Sequence, residues 1–223
     1  MEEPLRRVAR VGSISKATRR RTVAGAWLPG AVAFAIVGAA CSSNAPPTPE
    51  DAASSPPPSL TGVTVMVLPA QHGPAGGFTA EPVPGLDREI SFWLAERAPR
   101  VNWVFPDELE RILARSPSLD IDLHALAVGS FHHAQVRNIG DPLFGNLNAL
   151  GALTNARAAL VPVAAAWGAD STGLGAAHVS LALIDNRTGR VIWFGVTSGE
   201  PGAEGSPEVA ATAAESIAAL FAR

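Results

Sequence analysis

The clearest alternation of apolar and polar positions lies in the last third of the chain. It predicts three consecutive strands, Ala158–Trp167, Ala177–Ile184 and Arg190–Thr197. In the second strand, large apolar side chains alternate with small ones, which is the period of two that a strand requires. The third is apolar without interruption from Val191 to Val196. That pattern is typical of a strand covered on both faces and predicts a central position in the sheet.

The connections between these strands add two constraints. Asp185–Gly189 joins the last two strands, and its final glycine can take the positive φ that a short hairpin loop with a bulge needs. Pro162 lies inside the first strand and removes one backbone donor from the ladder. The sequence therefore predicts a hairpin at this loop, and either an edge position or a local bulge at Pro162.

The preceding segments alternate between short strands and amphipathic helices. Val63–Pro69 is apolar and β-branched, and it predicts a strand inside the sheet. The other predicted elements are a helix over Leu86–Arg97, a strand over Val101–Phe105, a helix beginning at Pro106, a short helix over Leu119–Val128, a helix beginning at Asp141-Pro142, and a terminal helix over Val209–Phe221. The helix that begins at Asp141-Pro142 has an apolar stripe at Leu143, Leu147, Leu150, Leu153 and Ala156. Together they predict an α/β fold, a two-layer sandwich with a mixed β-sheet covered by helices.

The amino terminus has the order of an export signal. Basic residues up to Arg21 precede an apolar run, Val23–Ala40, and Cys41 follows directly. Ile36–Cys41 resembles a bacterial lipobox, in which small residues precede a cysteine that is lipidated and becomes the first residue of the mature chain. Gly38 stands where a lipobox usually has leucine.

The lipobox predicts a signal segment over residues 1–41 and an acylated Cys41 that acts as a tether and not as a catalyst. Two alternatives remain open. One is an uncleaved anchor, since eighteen mostly apolar residues are nearly enough to span a bilayer. The other is soluble export with cleavage after Ala40. All three place the domain outside the cytoplasm. Ser42, in place of Asp, resembles lipoproteins sorted to the outer membrane, so we expect a domain anchored there and facing the periplasm.

Composition narrows the classes of partner. Residues 42–60 are rich in Pro, Ser and Ala and predict an extended spacer before an α/β domain over residues 61–223. After Cys41 the chain has ten Arg against eighteen Asp and Glu, a net charge of −8. Such a domain is expected to repel nucleic acid and anionic membrane surfaces. A single cysteine excludes a disulfide framework and a zinc finger.

Three segments carry a resemblance to a known group of proteins. Val63–Pro69 is a strand ending in Val-Leu-Pro, and Leu147–Pro162 is a helix followed by Ala-Leu-Val-Pro. Leu181–Gly195 is a strand, then Asp-x-x-Thr-Gly, then Val-Ile-Trp. These features resemble envelope lipoproteins that share a domain with the amino-terminal part of TolB, the curli-secretion lipoprotein CsgG and the synthase activator LpoB. The resemblance covers residues 61–223 and implies a domain without catalytic residues that acts by binding other envelope proteins.

The region from His124 to Asp141 holds the main candidates for reactive chemistry. His132 and His133 are adjacent, and adjacent side chains in an extended segment point apart, which favours solvated loop histidines over metal ligands. Ser130 and His132 are two residue types of a serine hydrolase, but the Gly-x-Ser-x-Gly elbow is missing. A small ligand- or metal-binding protein, or a hydrolase, using this region remains the alternative.

The sequence thus predicts a membrane-anchored extracytoplasmic lipoprotein, not an enzyme, whose α/β domain binds or scaffolds other components of the cell envelope. No catalytic residue, metal ligand or cofactor is predicted. Cys41 is the candidate site residue, as the position of lipidation. The expected partners are envelope proteins and the membrane through acylated Cys41, and nucleic acid is not among them.

Overall fold

The computed structural model describes residues 55–72, 83–132, 136–169 and 173–222. The strands within these ranges are β1 (Thr64–Val67), β2 (Asn102–Val104), β3 (Ala158–Ala169), β4 (Gly175–Asp185) and β5 (Val191–Ser198). The helices are α1 (Leu86–Arg97), α2 (Pro106–Ala114), α3 (Leu143–Thr154) and α4 (Pro207–Phe221), with a short 3-10 helix at Gly129–His132. The strands form a mixed sheet in the order β2-β1-β3-β4-β5, with β1 parallel to both neighbours and the other pairs antiparallel. The predicted α/β class and mixed sheet are confirmed.

Helices cover both faces of this sheet. Side chains alternate along β1, so Val65 and Val67 belong to one apolar cluster while Met66 and Leu68 belong to another. The buried residues of α1 and α4 join the first cluster, and those of α2 and α3 join the second. The fold therefore adds a second helical layer to the predicted sandwich of one sheet and its covering helices.

The proline in β3 is accommodated by a bulge. β3 lies between β1 and β4, so the edge position considered for this strand is wrong. The pairing with β4 shifts register between Pro162 and Ala164, as the bulge alternative predicts. The carbonyl of Pro162 accepts a hydrogen bond from the backbone N–H of Gln71 at 2.9 Å.

β5 lies at the edge of the sheet, and the predicted central position is wrong. Its sequence is apolar without interruption for another reason, because aromatic side chains cover both faces of the strand. Trp193 packs edge-on against Phe221 of α4, with ring centroids 5.9 Å apart. On the other face, Phe194 stacks on Phe131 at 6.1 Å. Burial on both faces does not require a neighbouring strand on both sides.

The predicted hairpin between β4 and β5 is confirmed. Gly189 has φ 68°, in the left-handed region that glycine tolerates. Asp185 Oδ1 accepts hydrogen bonds from the backbone N–H groups of Arg187 and Thr188, each at 3.0 Å. Partial burial would raise the pKa of Asp185, but hydrogen bonds from Thr188 and Arg187 outweigh it and hold the pKa below its usual value.

The helix predicted over Leu119–Val128 is absent, and this segment is an irregular loop. Its apolar side chains, Leu123, Leu126 and Val128, are buried against the α2 and α3 face, which explains the apolar pattern. The backbone N–H of Leu126 donates to the side chain of Gln71 at 2.8 Å instead of to a helical carbonyl. A distant side chain thus supplies the hydrogen bond that a helix would have supplied locally.

α3 differs from its prediction at its start and in one side chain. The helix begins at Leu143 with Pro142 in the N-cap position, one residue later than predicted, and the carboxylate of Asp141 accepts a hydrogen bond from the N–H of Gly145 at 3.1 Å. Leu147 is fully buried, whereas Leu153, predicted to share its apolar stripe, is 45% exposed. Leu153 therefore lies outside the buried stripe of this helix.

Candidate functional site

A cavity of about 450 Å³ lies at the carboxyl ends of β1 and β2. We call it the β1 cavity. Its lining residues are Pro69, Ala70, Gln71, His72, Val83, Gly85, Leu86, Asp87, Arg88, Ser91, Pro106, Asp107, Glu110, His124 and Ala165. They come from the segment after β1, the first turns of α1 and α2, the loop at residue 124, and β3.

The topology explains why a crevice forms there. The chain leaves β1 toward α1 on one face of the sheet and leaves β2 toward α2 on the opposite face. Neighbouring strands whose connections diverge in this way leave an opening outside their carboxyl ends, and ligands of open α/β sheets bind at such openings. The β1 cavity is therefore in the position where this fold class places ligand sites.

Gln71 fixes the floor of the cavity. It is 2% exposed, and its Nε2 donates to the carbonyls of Pro69 and Leu123, each at 2.8 Å. Its Oε1 accepts from the N–H of Leu126 at 2.8 Å. One side chain thereby ties the segment after β1 to the loop at residues 123–126. Both lining segments are therefore held in place by hydrogen bonds within the protein.

Asp87 is the half-buried charge of the cavity. Its Oδ1 accepts a hydrogen bond from the backbone N–H of Ala70 at 2.7 Å, which joins α1 to the end of β1. Burial raises the pKa of Asp87, while the Ala70 bond and the charges of His124 and His72 oppose the increase. The carboxylate is therefore partly desolvated, and a cation beside it would stabilise its charged form.

Two further groups face the same space from α2 and from the following loop. Nε2 of His124 lies 3.5 Å from Oε1 of Glu110, and both side chains are more than half exposed. Asp107 lies in the first turn of α2 on the same lining. These exposed groups supply charge and hydrogen-bonding capacity without a fixed internal network.

The structure brings only one of the predicted candidates to this cavity. His124 lines it, whereas Asp141 lies just before α3, bonded to the N–H of Gly145, and outside the lining. Ser130 is exposed in the 3-10 helix, and His132 ends that helix. His133 lies outside the described residues. The region from His124 to Asp141 therefore does not form one site within the described chain.

The described residues also include no group of three or more His, Cys, Asp or Glu side chains arranged to hold a metal ion. None of the helices in the described ranges combines the length and the apolar character needed to cross a bilayer. Cys41, the predicted lipidation site, and residues 1–54 lie outside the described part of the chain.

A second feature is the outer edge of β5. The N–H of Gly199 donates to the carbonyl of Ala177, so by the alternation of an antiparallel ladder Phe194, Val196 and Ser198 turn their backbone groups away from β4. No hydrogen bond from another described residue reaches these outward groups. We call this stretch the β5 edge. It contains neither a charged residue nor a proline, and Val196 is 42% exposed.

The start of the same strand is already covered. The N–H of Val191 donates to the carbonyl of Arg137 at 2.9 Å, and the N–H of Ile139 donates to the carbonyl of Gly189 at 2.8 Å. A short extended segment of the chain thus pairs with the first residues of β5. The open stretch continues this pairing line in the direction of Ser198.

Sequence reasoning missed Asp87 and Gln71 as site residues. Asp87 lies in the first turn of α1, where a carboxylate also has the general role of stabilising the helix amino end. Gln71 lies outside the regular strands and helices. One signal was available, since a polar residue directly after a buried strand in an α/β sequence lies at the edge where ligands bind.

No protein-family model matches the chain, and no curated protein matches it. Among solved structures, the PelC dodecamer from Paraburkholderia phytofirmans is similar at 18% identity, with a TM-score of 0.35, over 76% of this chain and 95% of that chain. Lipoprotein GNA1162 from Neisseria meningitidis is similar at 14% identity, with a TM-score of 0.37, over 65% of this chain and 84% of that chain. Neither likeness names a function for this protein, and the resemblance to the TolB, CsgG and LpoB group stays a prediction.

Proposed function

We propose that this protein is a lipid-anchored, non-catalytic protein of the bacterial cell envelope that binds another envelope protein through the β5 edge. In this proposal Cys41 carries the acyl chains, residues 42–60 form the spacer, and the α/β domain faces the periplasm from the outer membrane. The order of basic, apolar and cysteine positions supports the anchor. Acyl chains contribute roughly 0.8 kcal/mol per buried methylene, so that several chains make release from the membrane negligible.

The observation that carries the binding role is the open, apolar β5 edge. Soluble proteins usually protect such edges with lysine, proline or a bulge that turns the strand away, because unpaired backbone groups attract other strands. Beyond the bulge near Val191, the β5 edge has none of these devices. An extended segment of a partner could add here as a sixth strand, with main-chain hydrogen bonds for affinity and contacts at Val196 for specificity.

Charge supports a protein partner over other classes. The chain after Cys41 has a net charge of −8, which opposes binding to nucleic acid and to anionic lipid surfaces. The β5 edge itself is uncharged between Val191 and Ser198. An uncharged apolar segment of a protein meets no repulsion at this edge.

The anchor is tested by fractionation. Cys41→Ala removes the only thiol of the chain, so the variant should not be lipidated and should leave the membrane fraction, with processing altered on a gel. The wild-type protein labelled with a fatty-acid analogue serves as the reference. Unchanged processing and membrane retention of Cys41→Ala would remove the anchoring claim.

The partner is tested by cross-linking in native envelopes, followed by purification of the tagged protein and mass spectrometry. We expect an enriched envelope protein that is lost with residues 61–223 and lost again in Val196→Lys, which places a charge on the β5 edge. Leu153→Lys is the matched control, because Leu153 is equally exposed, at 45%, but lies on α3. Capture of the same partner by Val196→Lys and by wild type would contradict a role for this edge.

A further inference from the structure

We propose that the β1 cavity binds a primary ammonium group carried on a short aliphatic chain. The proposal does not depend on the lipid anchor or on the β5 edge. It rests on the position of the cavity, the fixed floor, the sign of the charges on the lining and the apolar walls between them.

Position and size fit a small ligand or one long side chain. The cavity opens between the first turns of α1 and α2, outside the carboxyl ends of β1 and β2. Its volume of about 450 Å³ falls within the range of small-molecule sites. Its floor is preformed, because Gln71 is fully bonded and Ala70 is bonded to Asp87, so little ordering is needed on binding.

The charges select a cation. Helix amino termini by themselves attract anions. Here the first turns of α1 and α2 already carry the carboxylates of Asp87 and Asp107, and Glu110 adds a third. Arg88 also lines the cavity, but its side chain is 84% exposed and its guanidinium lies 3.9 Å from Glu89. The lining therefore carries three carboxylates against one guanidinium, and the excess charge is negative.

Asp87 provides the site for the ammonium. One carboxylate oxygen is bonded to the Ala70 N–H, and no other described residue donates to the second oxygen. A ligand N–H₃⁺ has three donors. It can donate one of them to that oxygen and keep the other two for water.

The walls accommodate the aliphatic part of the ligand. The apolar lining residues are Pro69, Val83, Leu86, Pro106 and Ala165. A hydrated metal ion would leave these surfaces without a partner, and the described residues offer no set of three metal ligands. A primary amine on a chain of a few methylenes fills both the polar and the apolar parts.

Calorimetric titration of the full-length protein in detergent with 1,5-diaminopentane tests the proposal, with 1,5-pentanediol as the neutral counterpart. We expect saturable binding of the diamine at or below about 1 mM and no saturation by the diol. Asp87→Asn should weaken the diamine about tenfold, as expected for loss of one partly exposed charge partner. Glu96→Gln is the matched control, because it removes one exposed carboxylate from the same helix outside the cavity, and its affinity should equal that of wild type.

Equal affinities in Asp87→Asn and Glu96→Gln, equal binding of diol and diamine, or no saturation by the diamine up to about 20 mM would each overturn the proposal. If Asp87→Asn fails to fold, Asp107→Asn combined with Glu110→Gln replaces it, since both side chains are exposed. Titration with Nα-acetyl-lysine amide distinguishes the source of the ammonium. Tighter binding than the diamine indicates a lysine of a partner protein, and weaker binding indicates a free amine.

Discussion

Two glycines of α3 predict opposite effects of the same substitution. A Cβ added to Gly151 would lie 3.0 Å from Nδ2 and 3.1 Å from Cβ of Asn186, and 3.1 Å from the carbonyl oxygen of Ala156. Asn186 is 2% exposed, donates to that carbonyl, and accepts at its own carbonyl from Asn148. The neighbours of Gly151 are thus backbone or a buried side chain bonded in place, and they cannot move away cheaply.

The magnitude follows from two opposing terms. Replacing glycine by alanine inside a helix stabilises by about 1 kcal/mol, whereas forcing a methyl group into a packed site costs about 1–3 kcal/mol. For Gly151→Ala we expect the packing cost to exceed the helix term, with a net loss of about 1 kcal/mol. At Gly145 the Cβ would meet the exposed carboxylate of Asp141, at 3.2 Å, which accepts from the N–H of Gly145 but can turn toward solvent. Gly145→Ala should therefore gain about 0.5 kcal/mol, the helix term less part of that hydrogen bond.

Urea denaturation followed by far-ultraviolet circular dichroism measures both variants. The denaturation midpoint should fall for Gly151→Ala and rise for Gly145→Ala, with an unchanged slope. In thermal melts, a domain of this size should shift by about 2–4 °C for each kcal/mol. Because the two variants share one helix and one substitution, helix propensity alone predicts the same sign for both. A rise in both midpoints would refute the packing argument at Asn186.

Three further variants test side chains that hold loops of the domain in place. As the pH rises above about 4, the stability of Asp87→Asn should fall less than that of wild type. Burial raises the pKa of Asp87, so the folded chain holds this proton to a higher pH than the unfolded chain, and wild type loses stability as the proton leaves. Urea midpoints at several pH values measure the difference. Asp185→Ala should cost about 1–2 kcal/mol at pH 7 by removing the hydrogen bonds of the hairpin. That cost should shrink below about pH 4, since the lowered pKa of Asp185 makes its contribution disappear as the carboxylate is protonated; a cost independent of pH contradicts this. Gln71→Ala should destabilise by about 2–3 kcal/mol because it leaves buried carbonyls and an N–H without partners, and hydrogen exchange should rise first at Leu126.

Local patterns were sufficient for much of the fold. Alternation and turn residues located β1, β3, β4 and β5 and the hairpin ending at Gly189, and helical spacing located α1, α3 and α4. These signals are reliable because each depends on neighbours within a few positions, such as the period of a strand or the positive φ of a glycine. The bulge at Pro162 belongs to the same class, since the missing N–H is a property of that one residue.

The errors arose where burial came from distant parts of the chain. β5 is apolar because Phe221 and Phe131 cover its two faces, and the sequence of β5 alone cannot distinguish this from a strand between two others. Leu119–Val128 has helical apolar spacing, but its backbone is bonded to Gln71. In both cases the sequence pattern correctly indicated burial, but residues far away in the sequence determined which structure buries these side chains.

The sequence by itself determined the negative charge after Cys41, and it predicts the export signal, the anchor at that cysteine and the spacer, because these depend on composition and order along the chain. Only the tertiary structure decided the β1 cavity and the β5 edge. The cavity brings Asp87 together with His124, from segments far apart in sequence, because the connections after β1 and β2 leave toward opposite faces. The open edge exists because the sheet order ends at β5, and strand order is set by pairing between distant segments, which no local pattern encodes.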